Sequence, residues 1–535
     1  MTAMTKKMMK KVILIPYPAQ GHVNPMIKLA SFLSNMGFHP IIITPDFIHR
    51  RVSRRTTDGI VFMSIPDGLS EGTPRDFFAI EMAMERYMAA PLEELVRRET
   101  MDGGGGIGFF VVDLLASWAI EVGRLCGVAV AGFWPAMHAT YRLVAAIPDL
   151  INAGVISEHG SSTSRNRRFK FWSRTLERSK TLPWILTNTF PDESQSKTTQ
   201  QSAYLNYFDT PHVLEIGPLI MQSSAMASFW EEDMSCLRWL DVQESGSVVY
   251  VSFGSWVSPI DEAKIRSLAL ALESCQRSFV WVLAPAWRQG LPEGYVEKVA
   301  TRGRIVAWVP QVEVLRHHAV GCYMTHCGWN STMEAIQCKK PLLCYPIAGD
   351  QFLNSVYIVN VWRIGVKIEG FGREEVEKAL AFVLEDEQMR GRIERLNDKL
   401  FGKDGISEAR AKLMAFTQDI YRHISVEKNR SGESVIGFSL NFVGFRKISR
   451  RLPALTFVII QTLLVLLCSG WCIDCLYFGD LLEQIGPGGL PRESIGSTGA
   501  HEEPSGDGQD TEADQCRNCP SQIVKARQDT EDSSV

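Results

Sequence analysis

The chain has 535 residues, more than one hydrophobic core normally serves, so two or more domains are expected. It is 45% hydrophobic and 22% charged with a net charge of −4, a globular composition without the basic excess that a nucleic-acid partner requires. Twelve cysteines follow no framework spacing, which suits a reducing, cytoplasmic compartment and argues against a disulfide scaffold.

Lys6, Lys7, Lys10 and Lys11 precede an apolar run, but proline breaks that run too early for a secretory signal. VILIPY (12–17) reads instead as a strand buried on both faces. Asn24 and Pro25 read as the N-cap and first position of a helix reaching about Asn35, with Gly37 after it. PIIIT (40–44), FFVVD (109–113) and VAVAGF (128–133) continue as strands with helical segments between them. GGGGIG (103–108) satisfies G-x-G-x-x-G but precedes a strand instead of joining a strand to a helix. It is therefore read as a loop, and the nicotinamide-dependent oxidoreductase it would imply is set aside. The basic stretch Arg165 to Lys180 is read as a solvated helix or loop. The strand–helix rhythm restarts at SVVYVSFGS (247–255). It runs through 278–284, RIVAW (304–308), GCYMT (321–325) and PLLCYP (341–346) to about residue 425. Such alternation predicts two doubly wound parallel sheets joined near 217–240.

Chemistry concentrates in residues 308–351, WVPQVEVLRHHAVGCYMTHCGWNSTMEAIQCKKPLLCYPIAGDQ. A strand ends at His326, and HCGWNS leads into the helical TMEAI. A helix N-terminus presents unpaired N–H groups and partial positive charge, which suit a diphosphate. His326, Asn330 and Ser331 add side-chain donors, Glu334 can accept from two ribose hydroxyls, and Trp308 offers a flat face for a base. Any one of these residues alone would be read as core packing; the array points to a sugar nucleotide. Upstream, His22 in PAQGHVNP follows the first strand and Asp113 ends FFVVD, so both belong to the carboxyl edge of one sheet. A histidine can take the proton of an attacking hydroxyl, and an aspartate on its far nitrogen fixes the tautomer. Taken singly, His22 also reads as a capping histidine and Asp113 as a strand-end cap.

The 44 residues from Trp308 to Gln351 resemble the sugar-donor signature of plant family 1 UDP-dependent glycosyltransferases in length, end residues and internal order. The resemblance covers about residues 8–445. It implies the GT-B fold, two Rossmann-like domains facing a cleft, followed here by a C-terminal apolar and disordered extension. Residues 1–222 would bind the acceptor, 235–425 the UDP-sugar, 426–448 would return to the first domain, and 449–535 would lie beyond the fold.

The resemblance assigns the backbone of Val309 and the side chain of Gln311 to uracil and ribose. Ser255, His326, Asn330 and Ser331 go to the phosphates, with Gly328 in the donor-binding turn, and Trp329, Asp350 and Gln351 go to the hexose. It makes His22 the base and Asp113 its partner. UDP-glucose is the implied donor, since glutamine at the signature's end accompanies glucose and histidine galactose. Transfer to a hydroxyl of a small lipophilic acceptor would invert the anomeric centre, without metal or prosthetic group, in a monomer. No Asp-x-Asp beside an apolar strand is present. The departures are Pro135, where many relatives carry Thr or Ser, and a short Ser/Arg-rich segment at 155–170. They bear on the acceptor and leave a non-catalytic sugar-nucleotide-binding protein as the alternative.

Asn330-Ser331-Thr332 is a glycosylation acceptor inside the donor site, where a glycan would block binding, which again favours the cytoplasm. Residues 454–473 are 20 uncharged residues, long enough to span a bilayer, preceded by Arg446, Lys447, Arg450 and Arg451. As a membrane anchor they would leave the enzyme facing the cytosol; a tail created by an altered reading of the gene's end explains the change of character equally well. Residues 480–535 read as disordered. Cys472-x-x-Cys475 and Cys516-x-x-Cys519 have zinc-like spacing in a context unsuited to a site.

Overall fold

The computed structural model describes residues 10–52, 59–101, 106–152, 163–190, 211–219, 228–255 and 260–430. Two parallel sheets organise them. The first runs β3-β2-β1-β4-β5-β6-β7, from β1 (Lys11–Ile15), β2 (His39–Pro45), β3 (Val61–Ile65), β4 (Ile107–Asp113), β5 (Ala129–Trp134), β6 (Trp184–Thr187) and β7 (His212–Glu215). The second runs β10-β9-β8-β11-β12-β13, from β8 (Val248–Ser252), β9 (Ser278–Val282), β10 (Gly303–Val306), β11 (Val320–Thr325), β12 (Leu342–Cys344) and β13 (Gly365–Lys367). Central strands such as Val12–Leu14, Phe109–Val112 and Val248–Val251 are buried on both faces, which is why they read as unbroken apolar runs. Both sheets are doubly wound, with the direction of winding reversing between β1 and β4 and again between β8 and β11. Ligands in such sheets sit beyond the strand ends at those reversals.

Several expectations are corrected. The first helix spans Gln20–Asn35, with Ala19 as an extended N-cap, so Pro25 lies inside it and not at its first position. His22 therefore stands in the first helical turn instead of a loop. The basic stretch is a helix, Thr163–Ser179, solvated on one face, with Lys170 and Glu177 exposed, and packed on the other. Arg178 clasps Glu85 with bonds of 2.7 and 2.9 Å, and Arg174 bonds the buried Glu81, both glutamates on the helix Phe77–Arg86. Burial works against the Glu85 carboxylate, yet the two arginines hold its pKa below the usual value. Strands β3, β6, β7 and β13 were not anticipated; they are three to five residues long and lie at or near sheet edges, where apolar patterning is short and broken.

The return to the first sheet also begins earlier than residue 426. In the final helix, Lys403–Arg430, the side chains of Leu413, Phe416 and Ile420 join the core beneath Phe109 and Trp184. The Trp184 indole N–H donates to Asp419 at 2.8 Å. Among the described residues no helix is long and apolar enough to cross a membrane. The run 454–473, the two Cys-x-x-Cys pairs, the whole 480–535 assignment and residues 103–105 of the glycine run lie outside the described residues.

Candidate functional site

The two reversals of winding carry the candidate residues. At the first, His22 follows β1 and Asp113 closes β4. The His22 Nδ1 stands 2.8 Å from Asp113 Oδ2, whose side chain has no solvent exposure. A carboxylate only accepts, so Nδ1 carries the proton and Nε2 is left as the basic nitrogen. The other carboxylate oxygen accepts from the Leu115 N–H at 3.0 Å, so the aspartate is fixed at both ends.

At the second, Gly254 and Ser255 follow β8 and His326 follows β11. Gly254 (φ +84°) and Gly328 press on the imidazole: a Cβ on either would stand 2.6 or 2.5 Å from its Nε2. Burial lowers the His326 pKa to about 4, so the ring is neutral and acts as a hydrogen-bonding group without charge. Cys327 is left-handed (φ +66°), which turns the chain sharply into the helix Trp329–Gln337. Its N-cap, Gly328, has no side chain to occupy the first amides.

Behind that helix start lies a polar network. Gln311 Nε2 donates to Glu334 Oε2 at 2.7 Å and to Ser331 Oγ at 3.1 Å, and its Oε1 accepts from the hydroxyls of Tyr250 (2.9 Å) and Tyr323 (3.3 Å). Burial raises the Glu334 pKa, against the opposing pull of the Lys28 ammonium on the helix Gln20–Asn35 and of the Gln311 bond. Lys28 answers in kind: burial lowers its pKa, and Glu334 resists the change. Trp308 is partly buried, packs near Trp230 (ring centroids 6.3 Å apart) and is followed by the buried Val309.

The hexose candidates are differently placed. Asp350 Oδ2 accepts from Asn354 Nδ2 at 2.9 Å, and that amide also reaches the Cys327 carbonyl. Burial raises the Asp350 pKa, with the Asn354 bond and the charge of the His22 ring working against it. The Gln351 Oε1 accepts from the amides of Ile347 and Ala348 at 2.9 and 2.8 Å, leaving only its NH2 for a ligand. The Trp329 indole N–H is likewise committed, to the Asn188 carbonyl at 2.7 Å, and its ring stacks on Phe190. The side chain of Trp329 thus ties the two sheets together.

Sequence reasoning missed Asn188, Lys28 and Asn354. The spacing of Asp350 and Asn354 by one helical turn was a legible signal; the other two are brought in only by the packing of distant segments. Among the described residues no group of three His, Cys, Asp or Glu side chains is arranged to hold a metal ion.

Residues 166–401 match the family model "UDP-glucoronosyl and UDP-glucosyl transferase". UDP-glycosyltransferase 82A1 of Arabidopsis thaliana is 47% identical over 441 residues, covering 74% of this chain and 95% of that protein. Linamarin synthase 1 of Manihot esculenta is 30% identical over 437 residues, covering 72% and 90%. Among solved structures, Os79 of O. sativa in complex with UDP superposes with a TM-score of 0.65 at 27% identity, covering 76% of this chain and 99% of that one.

Proposed function

Because the chain belongs to the plant UDP-glycosyltransferase family, and is therefore an enzyme that transfers a glycosyl group from a UDP-sugar, we propose that its sugar is glucose. We further propose that its acceptor is a hydroxyl of a small lipophilic molecule, attacked with inversion under base catalysis by His22. The observation that carries the reading is the 2.8 Å His22–Asp113 bond, which fixes the tautomer of the candidate base.

In the proposed mechanism Nε2 of His22 takes the acceptor proton as the oxygen attacks the anomeric carbon. The buried Asp113 stabilises the imidazolium that forms. The carbon–oxygen bond to UDP breaks on the opposite face, so an α-linked donor gives a β-glycoside. Negative charge gathering on the leaving diphosphate meets the amides at the start of the helix Trp329–Gln337, with His326, Asn330, Ser331 and Ser255 as further donors. That set of donors supplies the stabilisation without calling on a metal. Glu334 and Gln311 take the ribose, Trp308 and the Val309 backbone the uracil. Asp350, the Gln351 NH2 and the Trp329 amide take the hexose. The first half would hold the acceptor and the second the donor. Relatives support a small acceptor: one is a flavonol 3-O-glucosyltransferase of Arabidopsis thaliana, and Os79 binds trichothecene in a solved complex. We further propose that the enzyme works as a monomer in the cytoplasm.

The test is incubation of the purified chain with UDP-glucose or UDP-galactose and a panel of phenolic acceptors, with and without chelator, followed by NMR of the product's anomeric centre. A β-glucoside formed equally well with chelator is expected. UDP binding without transfer would establish the non-catalytic alternative, and a chelator-sensitive or α-linked product would overturn the mechanism.

A further inference from the structure

The helix Gln20–Asn35 carries Pro25 in its interior. Proline has no N–H, so the carbonyl four residues earlier loses its helical partner. That carbonyl belongs to Gly21, the residue immediately before His22. It is not left unpaired. The side-chain Nδ2 of Asn330 donates to it at 2.8 Å, from the first turn of the helix Trp329–Gln337 and from 309 residues away. The neighbouring Trp329 makes a second bond of the same kind, from its indole to the Asn188 carbonyl. Two consecutive residues at the start of the donor-side helix are thus tied to backbone carbonyls of the first half.

We propose that Pro25 is a positioning residue: by freeing the Gly21 carbonyl to receive Asn330, it sets the base His22 at a fixed distance from the start of the helix that receives the donor phosphates. The inference rests on the reading of His22 as base. Asn330 suits the task because its amide has two N–H groups. One is held by Gly21, and the other remains for a phosphate oxygen, so one side chain links the base to the leaving group. The acceptor is main-chain, and its location depends on the helix and not on a side-chain rotamer. At Gly21 an added Cβ would stand 3.7 Å from Asn330 Nδ2, so the approach is close without being crowded. A proline at the first helical position, the arrangement read from sequence, would free no carbonyl for this purpose.

Pro25→Ala returns an N–H to the helix, which then competes with Asn330 for Gly21. The expected result is a fall in kcat of roughly threefold to tenfold, the scale of one hydrogen bond. The KM for UDP-glucose and the Kd for UDP should stay within about twofold, and Tm should not fall, because the helix gains a bond. Asn330→Asp leaves the first helix untouched, removes both N–H donors and is expected to lower kcat and weaken UDP. In that background Pro25→Ala should have no further effect on kcat, a non-additivity that a merely structural role would not produce. Wild-type kcat in Pro25→Ala, or the same fractional loss in both backgrounds, overturns the proposal. His22→Ala is measured alongside: full transfer in that variant removes the base reading. Loss of transfer there together with an unchanged Pro25→Ala removes the positioning role alone.

Discussion

His22 donates its Nδ1 proton to Asp113, a carboxylate with no solvent exposure, across 2.8 Å. The bond leaves one ring nitrogen free to act as a base. His22→Ala is expected to lower kcat by about a hundredfold to ten-thousandfold. UDP affinity, measured calorimetrically, should be preserved, because the proposed nucleotide contacts belong to the other sheet. Asp113→Asn should also lower kcat, since an amide can donate to the ring and favour the wrong tautomer. Equal activity of His22→Ala and the parent on a hydroxyl acceptor would place the base elsewhere.

Donor affinity should weaken on acidification sooner than an ordinary glutamate would dictate. In the proposed donor site Glu334 would be ionised to accept from both ribose hydroxyls, and burial raises its pKa, so the competent form is lost as pH falls through that raised value. The groups acting on it are Lys28 and Gln311, which favour the carboxylate, and Glu313, which opposes it. Tyr250, Tyr323 and Cys338 feel its charge in turn. Lys28→Met removes the cation that favours the carboxylate and should move the acid limb of the KM profile for UDP-glucose to higher pH, with Lys28→Arg restoring it. A profile that stays in place would show that Lys28 does not act through Glu334.

The Gln351 amide oxygen is occupied by Ile347 and Ala348, so its NH2 alone can face the hexose. Gln351→Glu keeps an acceptor for both amides and discards the donor. It is expected to raise the KM for UDP-glucose roughly tenfold while leaving Tm nearly unchanged. Gln351→Ala should raise KM and lower Tm together, because the two loop amides then lose their partner. In direct competition the parent should favour UDP-glucose over UDP-galactose.

Gly254 sits at φ +84° with the His326 ring where a side chain would begin. Gly254→Ala strains the backbone and displaces the imidazole, so UDP affinity should fall by at least about tenfold in a protein that remains folded by circular dichroism. Unchanged affinity would mean that His326 does not meet the donor.

Phe416 is buried against Phe109 and Trp184, although it lies far beyond the second sheet in sequence. Phe416→Ala should cost about 3–5 kcal/mol, typical for a large aromatic removed from a core. Thermal unfolding should show the loss in the transition of the first half, and the Kd for UDP should not change.

Local order determined much of this protein. Apolar runs such as Val12–Leu14 and Val248–Val251 are strands because both faces of a parallel sheet are buried, and that property is written in consecutive residues. The donor residues were legible for a related reason: His326 to Glu334 are a strand end and a helix start, joined within nine positions. Only the tertiary structure decided which atoms of those residues are free. The Trp329 indole is taken by Asn188, the Gln351 oxygen by its own loop, and one Asn330 N–H by Gly21. Two of these three bonds join residues more than 140 positions apart, and a hydrogen bond between distant segments leaves no periodic trace in the chain. The role of Pro25 turned on the same limit. Its identity permitted a helix start, but the backbone began the helix five residues earlier and put the missing N–H to a different use.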